Sequence, residues 1–500
     1  MSRVTPRELF LMSFCCAARA RPSKLACFYK ASFPCRHASS SSVVDSSSML
    51  PPPRLNYRSI SENSVNKLTN AINRKAPLPA DAIHKVSRLY TEFKNSSHLL
   101  NEKRNARSMI GETIRSSGSR KDHEAKENAL KHAKALKDEI AEMETTCSRL
   151  ESELLELALA IPNDTHPSSP LGPESAAITL ATQGPACLPV SPARDHLAVA
   201  KKLKLVDMEN ASNVSGTSWY FLMNEGALLE LALTNYAISV AIKHGFQPVT
   251  TPDVVRSDIA QRCGFQPRDP SHPHHTQSYH LHSTSPSSPE LILAGTAEIP
   301  IAGMFANRLF LSKALPQKIV GVGHAFRAEA GARGAEARGL YRVHQFTKVE
   351  LFAVTRAEES ESMMEEIRQV QDSILRELDL PIRTLDMPTE ELGASAYRKY
   401  DMEAWMPGRG GWGEVTSLSN CTDYQARRMH IRYHLETNKQ NVFAHTLNGT
   451  AAAIPRLIVA LIENGVEFDE AGEPVAIVLP AVLRQYWLGT GSQDTVVKWK

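Results

Sequence analysis

The sequence predicts an α+β protein in which an N-terminal antiparallel helical hairpin precedes a larger domain of mixed strands and helices. The first observation is a heptad-like apolar spacing over residues 81–161. The second is a pair of alternating, strand-like segments at 324–327 and 341–352, joined by a glycine-containing loop at 331–339. The third is a pair of apolar helices predicted at 226–243 and near Pro455. A chain of 500 residues with 42% hydrophobic content is long enough for both parts.

The first 44 residues have the composition of a mitochondrial transit peptide. They contain seven lysines and arginines, only one acidic residue, Glu8, and a serine run at 39–42. A disordered basic tail is the alternative interpretation of this composition. We expect residues 1–56 to be a transit peptide and linker, and the mature protein to act in the mitochondrial matrix. The apolar stretch Leu9–Phe14 is too short to span a membrane, and no membrane interaction is expected.

Two apolar seams predict a helical hairpin over residues 81–161, within an N-terminal domain at 57–162. Their members are Ile83, Val86, Tyr90, Phe93, Ser97 and Leu100 in the first helix, and Leu136, Ile140, Met143, Cys147, Leu150, Leu154, Leu157 and Ile161 in the second. Steps that alternate between three and four residues place each set on one helix face. The flexible segment Ser116–Ser119 is expected to form the turn that makes the helices antiparallel.

The outer part of this hairpin is polar and basic. Ten basic and five acidic residues lie between 101 and 137, which gives a local charge of +5. A basic rod suits a phosphate backbone, but an ordinary solvated helix face with ion pairs has the same composition. The candidate nucleic-acid contacts are Lys103, Arg104, Arg107, Arg115, Arg120 and Lys121.

The remaining boundaries come from composition. A stretch rich in proline and serine after Ile161 predicts a linker at 163–193, a compact domain at 194–490 and a tail at 491–500. Eight cysteines are present without a CxxC pair, so the sequence indicates neither a zinc ribbon nor a disulfide framework.

The strand-like pair around residues 326–350 carries groups that suit a nucleotide. Arg327 and Glu329 are expected to share one strand face, as are Phe346 and Glu350. Such residues are costly on a core face. An arginine suits phosphate, a carboxylate suits a ligand amine, and an aromatic ring suits a purine.

Other segments add polar groups. Thr296 and Glu298 lie beside a glycine, and Glu414–Ser417 follows a glycine-rich stretch. A carboxylate and hydroxyls suit Mg²⁺ together with phosphate oxygens. No Walker A sequence and no GxGxxG after a strand is present, which argues against a P-loop.

The segment 445–463 predicts a turn followed by a helix. Asn448 and Gly449 are expected to form the turn, and Pro455 lies in the first turn of the apolar helix. Arg456 at this helix start suits an anion, although an arginine that simply covers a helix end is an equally ordinary interpretation.

Histidines are concentrated at residues 272–282, where five of eleven residues are His. Zinc binding is one interpretation of this composition. Pro273 interrupts the stretch and no acidic ligand follows before Glu290, so we expect a surface loop.

Taken in order, these segments resemble the seryl-tRNA synthetase family over most of residues 57–490. GFQPVTTPDVV is similar to motif 1 of class II enzymes, FRAEAG through RVHQFTKVE to motif 2, and HTLNGTAAAIPR to motif 3. GTAEIP, VRSDIAQRCGFQPRD and SNCTDYQARRMHIRY resemble stretches particular to the seryl enzymes. Three ordered motifs with these stretches are specific, whereas any one alone is not.

The resemblance implies a class II catalytic domain, an antiparallel sheet flanked by helices, that works as a homodimer. It implies that ATP, Mg²⁺ and L-serine are used to charge serine tRNA through seryl-adenylate, with the hairpin gripping the long variable region of that tRNA. The implied serine contacts are Thr296, Ala297, Glu298, Glu350, Asn448 and Thr450. The implied ATP contacts are Arg327, Ala328, Glu329, Arg342, Val343, Phe346, Glu414, Val415, Thr416, Ser417 and Arg456. Of these, Arg327, Glu414 and Arg456 are the implied catalytic residues, and Glu414 and Ser417 the implied Mg²⁺ ligands.

Two other interpretations make different demands on the sequence. A class II paralogue that charges a carrier protein is expected to lack the long basic hairpin, which this chain has. A non-enzymatic scaffold is expected to have lost some of the charged site residues. All five of these are present: Arg327, Glu329, Glu350, Glu414 and Arg456.

Overall fold

The structure, a computed structural model, describes residues 50–120, 123–265, 277–282, 288–329, 339–437, 439–489 and 495–500. The predicted transit peptide, apart from the end of its linker, lies outside these residues, as do Lys121, His272, His274, His275 and most of the loop predicted at 331–339.

Within the described residues, the α-helices are α1 (Tyr57–Glu62), α2 (Ser64–Asn73), α3 (Ala82–Arg120), α4 (His123–Leu159), α5 (His196–Lys202), α6 (Glu209–Ser215), α7 (Glu225–Lys243), α8 (Ser257–Cys263), α9 (Glu298–Met304), α10 (Ser360–Glu377), α11 (Tyr424–Met429) and α12 (Ile454–Gly465). The strands are β1 (Ile178–Gln183), β2 (Val206–Asp207), β3 (Phe221–Leu222), β4 (Gln247–Thr250), β5 (Val254–Arg256), β6 (His280–Leu281), β7 (Leu291–Leu293), β8 (Leu309–Leu311), β9 (Gln317–Phe326), β10 (Gln345–Thr355), β11 (Ile382–Asp386), β12 (Arg398–Met406), β13 (Gly411–Asn420), β14 (Arg432–His434), β15 (Asn441–Phe443), β16 (His445–Ala453), β17 (Val466–Phe468), β18 (Pro474–Leu479) and β19 (Val497–Trp499).

An eight-stranded sheet organises the larger domain, in the order β1-β11-β12-β13-β16-β10-β9-β4. Every neighbouring pair is antiparallel except β4 and β9. Strand alternation sends Val349, Leu351 and Ala353 of β10 into the main core with α7, α10 and α12. Lys348 and Glu350 therefore lie on the opposite face of the sheet. The predicted α+β class is confirmed.

Helix α7 is buried on one side, where Leu229, Leu233, Tyr236 and Ala237 contact the core. Among the described residues, it is the one helix whose length and composition also match a membrane span. Its burial in the core accounts for that apolar composition without a membrane.

The hairpin consists of α3 and α4, which pack along the predicted seams. Ile83, Val86, Leu150 and Leu154 are buried near its base, and Leu100, Ile140 and Cys147 are buried farther out. The predicted turn at Ser116–Ser119 is wrong, because the backbone there is still helical and α3 continues to Arg120. Extending an existing helix costs less than starting one, so serine and glycine near its end do not stop it.

The base of the hairpin is fixed to the larger domain by two polar residues. The guanidinium of Arg74 is fully buried and donates to the carbonyls of Asn163 (2.8 Å) and Gly393. The amide of Asn163 in turn donates to the carbonyls of Ser395 and Cys421, both at 2.9 Å. Buried donors with this many partners resist displacement, so the base of the hairpin is anchored.

Two predicted boundaries need correction. Residues 163–193 are not only a linker, because β1 pairs with β11 and extends the main sheet. Residues 491–500 are not only a tail, because β19 pairs with β18 and Trp499 contacts Trp487, ring centroids 5.3 Å apart. In both places, cross-strand pairing decides a structure that local composition does not indicate.

Candidate active site

The site lies on the open face of the main sheet, where β13 and β16 separate. The two strands pair from Leu418 opposite Gly449 to Asn420 opposite Leu447. Beyond Leu418 the pairing ends, and a cavity of about 530 Å³ opens between Glu414 and Arg456. A second cavity of about 1560 Å³ adjoins it, and Arg327, Lys348 and Ser417 line both.

A β-bulge sets the direction of the β13 side chains. Glu414 lies opposite Glu403 and Thr416 opposite Met402, so Val415 is the extra residue. Because of this bulge, Glu414 and Ser417 face the same side although they are three residues apart. Thr416 faces the core with Met402 and lines neither cavity, so the structure separates its side chain from the other predicted ATP contacts.

One end of the site is built around buried Glu350. Its carboxylate accepts hydrogen bonds from Lys348 Nζ at 2.7 Å and Thr296 Oγ1 at 3.3 Å. Thr450 lies directly opposite Glu350 on β16. Burial raises the pKa of Glu350 above its usual value, while the charge of Lys348 opposes this shift.

A second carboxyl, Glu298, is held by two amides. Its Oε1 accepts from Gln425 Nε2 at 2.6 Å and from Asn448 Nδ2 at 3.0 Å. The other contact of Asn448 Nδ2 is Cys421 Sγ at 3.3 Å. Burial and the neighbouring charge of Glu350 raise the pKa of Glu298 to about 7. Since the amide nitrogen of Asn448 is engaged, its oxygen remains as the acceptor for a ligand hydroxyl.

The other end of the site, in the 530 Å³ cavity, suits phosphate. Arg456 lies 3.5 Å from the carboxylate of Glu414 and donates to the Glu414 carbonyl at 3.0 Å. Burial opposes ionisation of Glu414, but the charges of Lys399, Arg456 and Arg327 lower its pKa to about 2. Burial, followed by the nearby charge of Arg456, lowers the pKa of Arg327. Two arginines with one ionised carboxylate form a polyanion site that also contains a cation ligand.

Beside the phosphate end lie the groups predicted to hold a purine. The guanidinium of Arg327 lies 5.5 Å from the ring centroid of Phe346. Glu329 pairs with Arg342 at 3.0 Å, and Val343 lines the same cavity. The predicted shared strand face of Arg327 and Glu329 is wrong, because β9 ends at Phe326 and Glu329 has a left-handed φ of 45°.

The other predicted residues are placed as follows. Ala297 is buried just before α9, and the Ala328 N–H donates to the carbonyl of Gln277 at 2.9 Å. The predicted turn at Asn448 and Gly449 is wrong, since both residues lie within β16 and pair with β10. Pro455 does lie at the start of α12, as expected.

Of the predicted nucleic-acid contacts of the hairpin, those within the described residues, from Lys103 to Arg120, belong to α3. Lys103 pairs with Glu139 and Arg104 with Glu144, both at 2.7 Å. Arg107 and Arg115 are exposed, and the side chain of Arg120 lies outside the described residues. In the histidine-rich stretch, His280 contacts Glu290 at 2.8 Å, and the described residues contain no group of three potential metal ligands.

Sequence reasoning missed four residues that shape the cleft. Lys348 and Lys399 supply buried positive charge, Gln425 holds Glu298, and Tyr341 contacts Arg456. Lys348 was detectable, since it lies two residues before Glu350 and shares its strand face. Lys399, Gln425 and Tyr341 carry no comparable local signal.

Two family models match the chain. Residues 279–465 match the tRNA synthetase class II core domain (G, H, P, S and T), and residues 55–165 match the seryl-tRNA synthetase N-terminal domain. The second match covers the α3–α4 hairpin, and the first covers most of the cleft.

Curated relatives and solved structures agree with these matches. The mitochondrial serine–tRNA ligase of Schizosaccharomyces pombe is 42% identical over 86% of this chain and 89% of its own length. The mitochondrial serine–tRNA ligase of Mus musculus is 41% identical over 69% of this chain and 64% of its own. The seryl-tRNA synthetase of Pyrococcus horikoshii complexed with ATP is similar with a TM-score of 0.75 and 32% identity, covering 86% of this chain and 98% of that one. The chain therefore belongs to the seryl-tRNA synthetase family of class II aminoacyl-tRNA synthetases.

Proposed function

We propose that this protein attaches serine to serine tRNA through a seryl-adenylate intermediate, in the translation system of the mitochondrial matrix. One observation carries the proposal: the two arginines and the carboxylate suited to phosphate, Arg327, Arg456 and Glu414, line a cavity that joins the polar pocket around Glu350 and Glu298. The first 44 residues and the mitochondrial relatives support the location.

The first step is attack of the serine carboxylate on the α-phosphorus of ATP. Glu350 binds the serine ammonium group, and Thr450 and the free oxygen of Asn448 receive the hydroxyl. Arg327 stabilises negative charge at the α-phosphate, and Arg456 binds the distal phosphates that leave as pyrophosphate. No side-chain nucleophile is required, because positioning and charge stabilisation supply the catalysis.

The donor set fits Mg²⁺. Ionised Glu414 and the hydroxyl of Ser417 share one face of β13, and both are hard oxygen ligands. Bound Mg²⁺ supplies positive charge that neutralises the ATP phosphates. Glu414 and Ser417 would hold the ion together with phosphate oxygens of ATP.

In the second step, a ribose hydroxyl at the 3′ end of tRNA attacks the activated serine carbonyl, so that the ester bond forms and AMP leaves. The hairpin grips the tRNA through phosphate contacts. Arg107 and Arg115 are exposed for this role, while Lys103 and Arg104 exchange their acidic partners for phosphate.

The protein works as a homodimer. An apolar groove of about 1120 Å³ lies beside α6, β3 and α7. Val214, Phe221 and Leu231 at this groove are 73%, 44% and 46% exposed. A second copy covers these side chains, since a clustered apolar surface of this kind marks an interface.

The direct test is serine-dependent exchange between ATP and labelled pyrophosphate. Exchange with serine, at least about 100-fold weaker with alanine, is expected because buried polar groups read the hydroxyl. Threonine tests whether the pocket excludes an added methyl group. Absence of serine-dependent exchange by the purified, folded protein would exclude the proposed activation step.

A further inference from the structure

A buried hydrogen-bonded pair behind the phosphate end of the cleft has no role in the mechanism above. It joins His196, at the start of α5, to Glu463, near the end of α12. The side chains are 2% and 0% exposed, and His196 Nδ1 lies 2.9 Å from Glu463 Oε1. Burying such a pair is costly unless all of its hydrogen-bonding atoms have partners.

Each end of the pair holds a different backbone segment, and one of these, at Leu340, lines the ATP cavity. Glu463 Oε2 accepts from the backbone N–H of Gly408 at 2.7 Å and of Arg409 at 3.0 Å. His196 Nε2 accepts from the backbone N–H of Leu340 at 3.3 Å. The ring therefore carries its proton on Nδ1, toward Glu463, and offers the Nε2 lone pair to Leu340.

The two backbone segments, Leu340–Tyr341 and Gly408–Arg409, contact each other at the Tyr341 ring. The guanidinium of Arg409 lies 3.6 Å from the Tyr341 ring centroid, and that of Arg456 lies 4.7 Å from it. Arg456 Nε also donates to the Tyr341 carbonyl at 3.3 Å. Arg456 lies in the first turn of α12, and Glu463 lies two turns later on the same helix. Arg456 contacts Tyr341 directly, whereas Glu463 is linked to Tyr341 through Arg409.

The lack of space for a side chain at Gly339 independently supports close packing of this segment against His196. Gly339 has a left-handed φ of +66°, and a Cβ placed there would lie 2.2 Å from His196 Nε2. Only glycine allows the chain to pass this close to the imidazole before it reaches Leu340 and Tyr341.

We propose that the His196–Glu463 pair positions Arg456 for the distal phosphates of ATP, by fixing Leu340–Tyr341 on one side and Gly408–Arg409 on the other. His196 and Glu463 are positioning residues, because neither lines the ATP cavity and both act on ATP through Arg456. The inference rests on the proposed function in one respect, the assignment of Arg456 to the distal phosphates.

The test compares ATP and serine parameters in His196→Ala and His196→Gln. In His196→Ala the Leu340 N–H loses its acceptor, so we expect the KM for ATP in pyrophosphate exchange to rise about tenfold. The KM for serine should change less than about twofold. His196→Gln keeps an acceptor for Leu340 and a donor for Glu463, and it should restore most of the ATP affinity.

A double-mutant cycle with Gly339→Ala separates positioning from general stability. The single Gly339→Ala change should weaken ATP binding, and its effect should shrink in the His196→Ala background, where the added methyl has room. His445→Gln is the matched control, because His445 contacts the Ser360 hydroxyl at 3.0 Å and lines neither cavity. It should leave the KM for ATP unchanged.

Three results would overturn the inference: an unchanged KM for ATP in His196→Ala, an equal rise in the KM values for ATP and serine, or independent effects of the two substitutions. Calorimetric titration of ATP into the same variants measures the positioning effect without catalysis. A wild-type protein that binds ATP but shows no exchange would therefore contradict the proposed function, while the titrations still decide the role of the pair.

Discussion

At the scale of single residues, the polar pocket depends on charges that burial makes costly. Glu350 is 1% exposed and Lys348 is 9% exposed, and their charged atoms lie 2.7 Å apart. Each charge is tolerated because the other is present. The same pair holds the carboxylate that we assign to the serine ammonium group.

Lys348→Met should therefore damage both stability and serine binding. Removing one member of a buried pair costs about 3–5 kcal/mol, and the lone Glu350 carboxyl then takes up a proton at higher pH. Chemical denaturation and the KM for serine measure the two effects. Lys202→Met is the control, because its partner Glu473 is exposed at the surface, and it should change neither. A normal KM for serine in Lys348→Met would contradict the role of Glu350.

Glu298 gives the pocket a pH dependence. Its folded pKa of about 7 lies above the ordinary 4.5, so the folded chain keeps a proton that the unfolded chain has lost. The free energy of unfolding therefore falls as pH rises between these values, by at most about 3 kcal/mol from this group.

Glu298→Gln should make the free energy of unfolding decrease less steeply as pH rises. Urea denaturation of the ligand-free protein at several pH values between 4.5 and 7 measures the slope for both proteins. Asp401, whose pKa burial likewise raises to about 7, remains in the variant and keeps part of the slope. Identical slopes for both proteins would show that Glu298 titrates normally.

At the scale of elements, the outer hairpin and the cleft are structurally separate parts of the protein. The ion pairs Lys103–Glu139 and Arg104–Glu144 join α3 to α4 well away from the anchored base at Arg74. The outer part of the hairpin is thus stabilised within itself, and its loss leaves the cleft intact.

Replacing Arg104–Ala133 with a short glycine–serine turn should spare activation and abolish charging. Serine-dependent exchange is expected to stay within about twofold, since only the outer helices are removed. Charging of serine tRNA should fall by at least about 100-fold, because several phosphate contacts disappear together. Equal loss of both activities would argue against a separate RNA-binding role for the outer hairpin.

The elements also show which features of the fold can be predicted from the sequence. The seam from Ile140 to Leu154 was readable because helix periodicity is local. The strand position of Gly449 could not be predicted in this way, because its partner Leu351 lies in a distant segment of the chain. The shared face of Glu414 and Ser417 depends on a bulge at Val415, and regular alternation predicts the opposite. Arg327, Glu414 and Arg456 were found by their chemistry, whereas Lys348 and Lys399 were missed, and the geometry of all of them depends on the sheet.

At the scale of the whole molecule, the exposed groove beside α7 predicts the oligomeric state. Val214→Glu combined with Leu231→Glu places two charges in the apolar surface and should yield a monomer in analytical ultracentrifugation. Ile72→Glu is the control, because Ile72 is 65% exposed on α2 and belongs to the hairpin base. Persistence of the dimer in the double variant would place the interface elsewhere.

The position of β1 determines where a stable fragment of this protein can begin. A recombinant fragment that starts at Asp195 would leave β11 as a bare sheet edge, with a row of unpaired amide and carbonyl groups open to other chains. Such a fragment should aggregate even though every residue of the cleft is present. A fragment that starts just before Asn163 keeps both β1 and the amide that spans Ser395 and Cys421, and it is the shortest catalytic piece we expect to stay soluble.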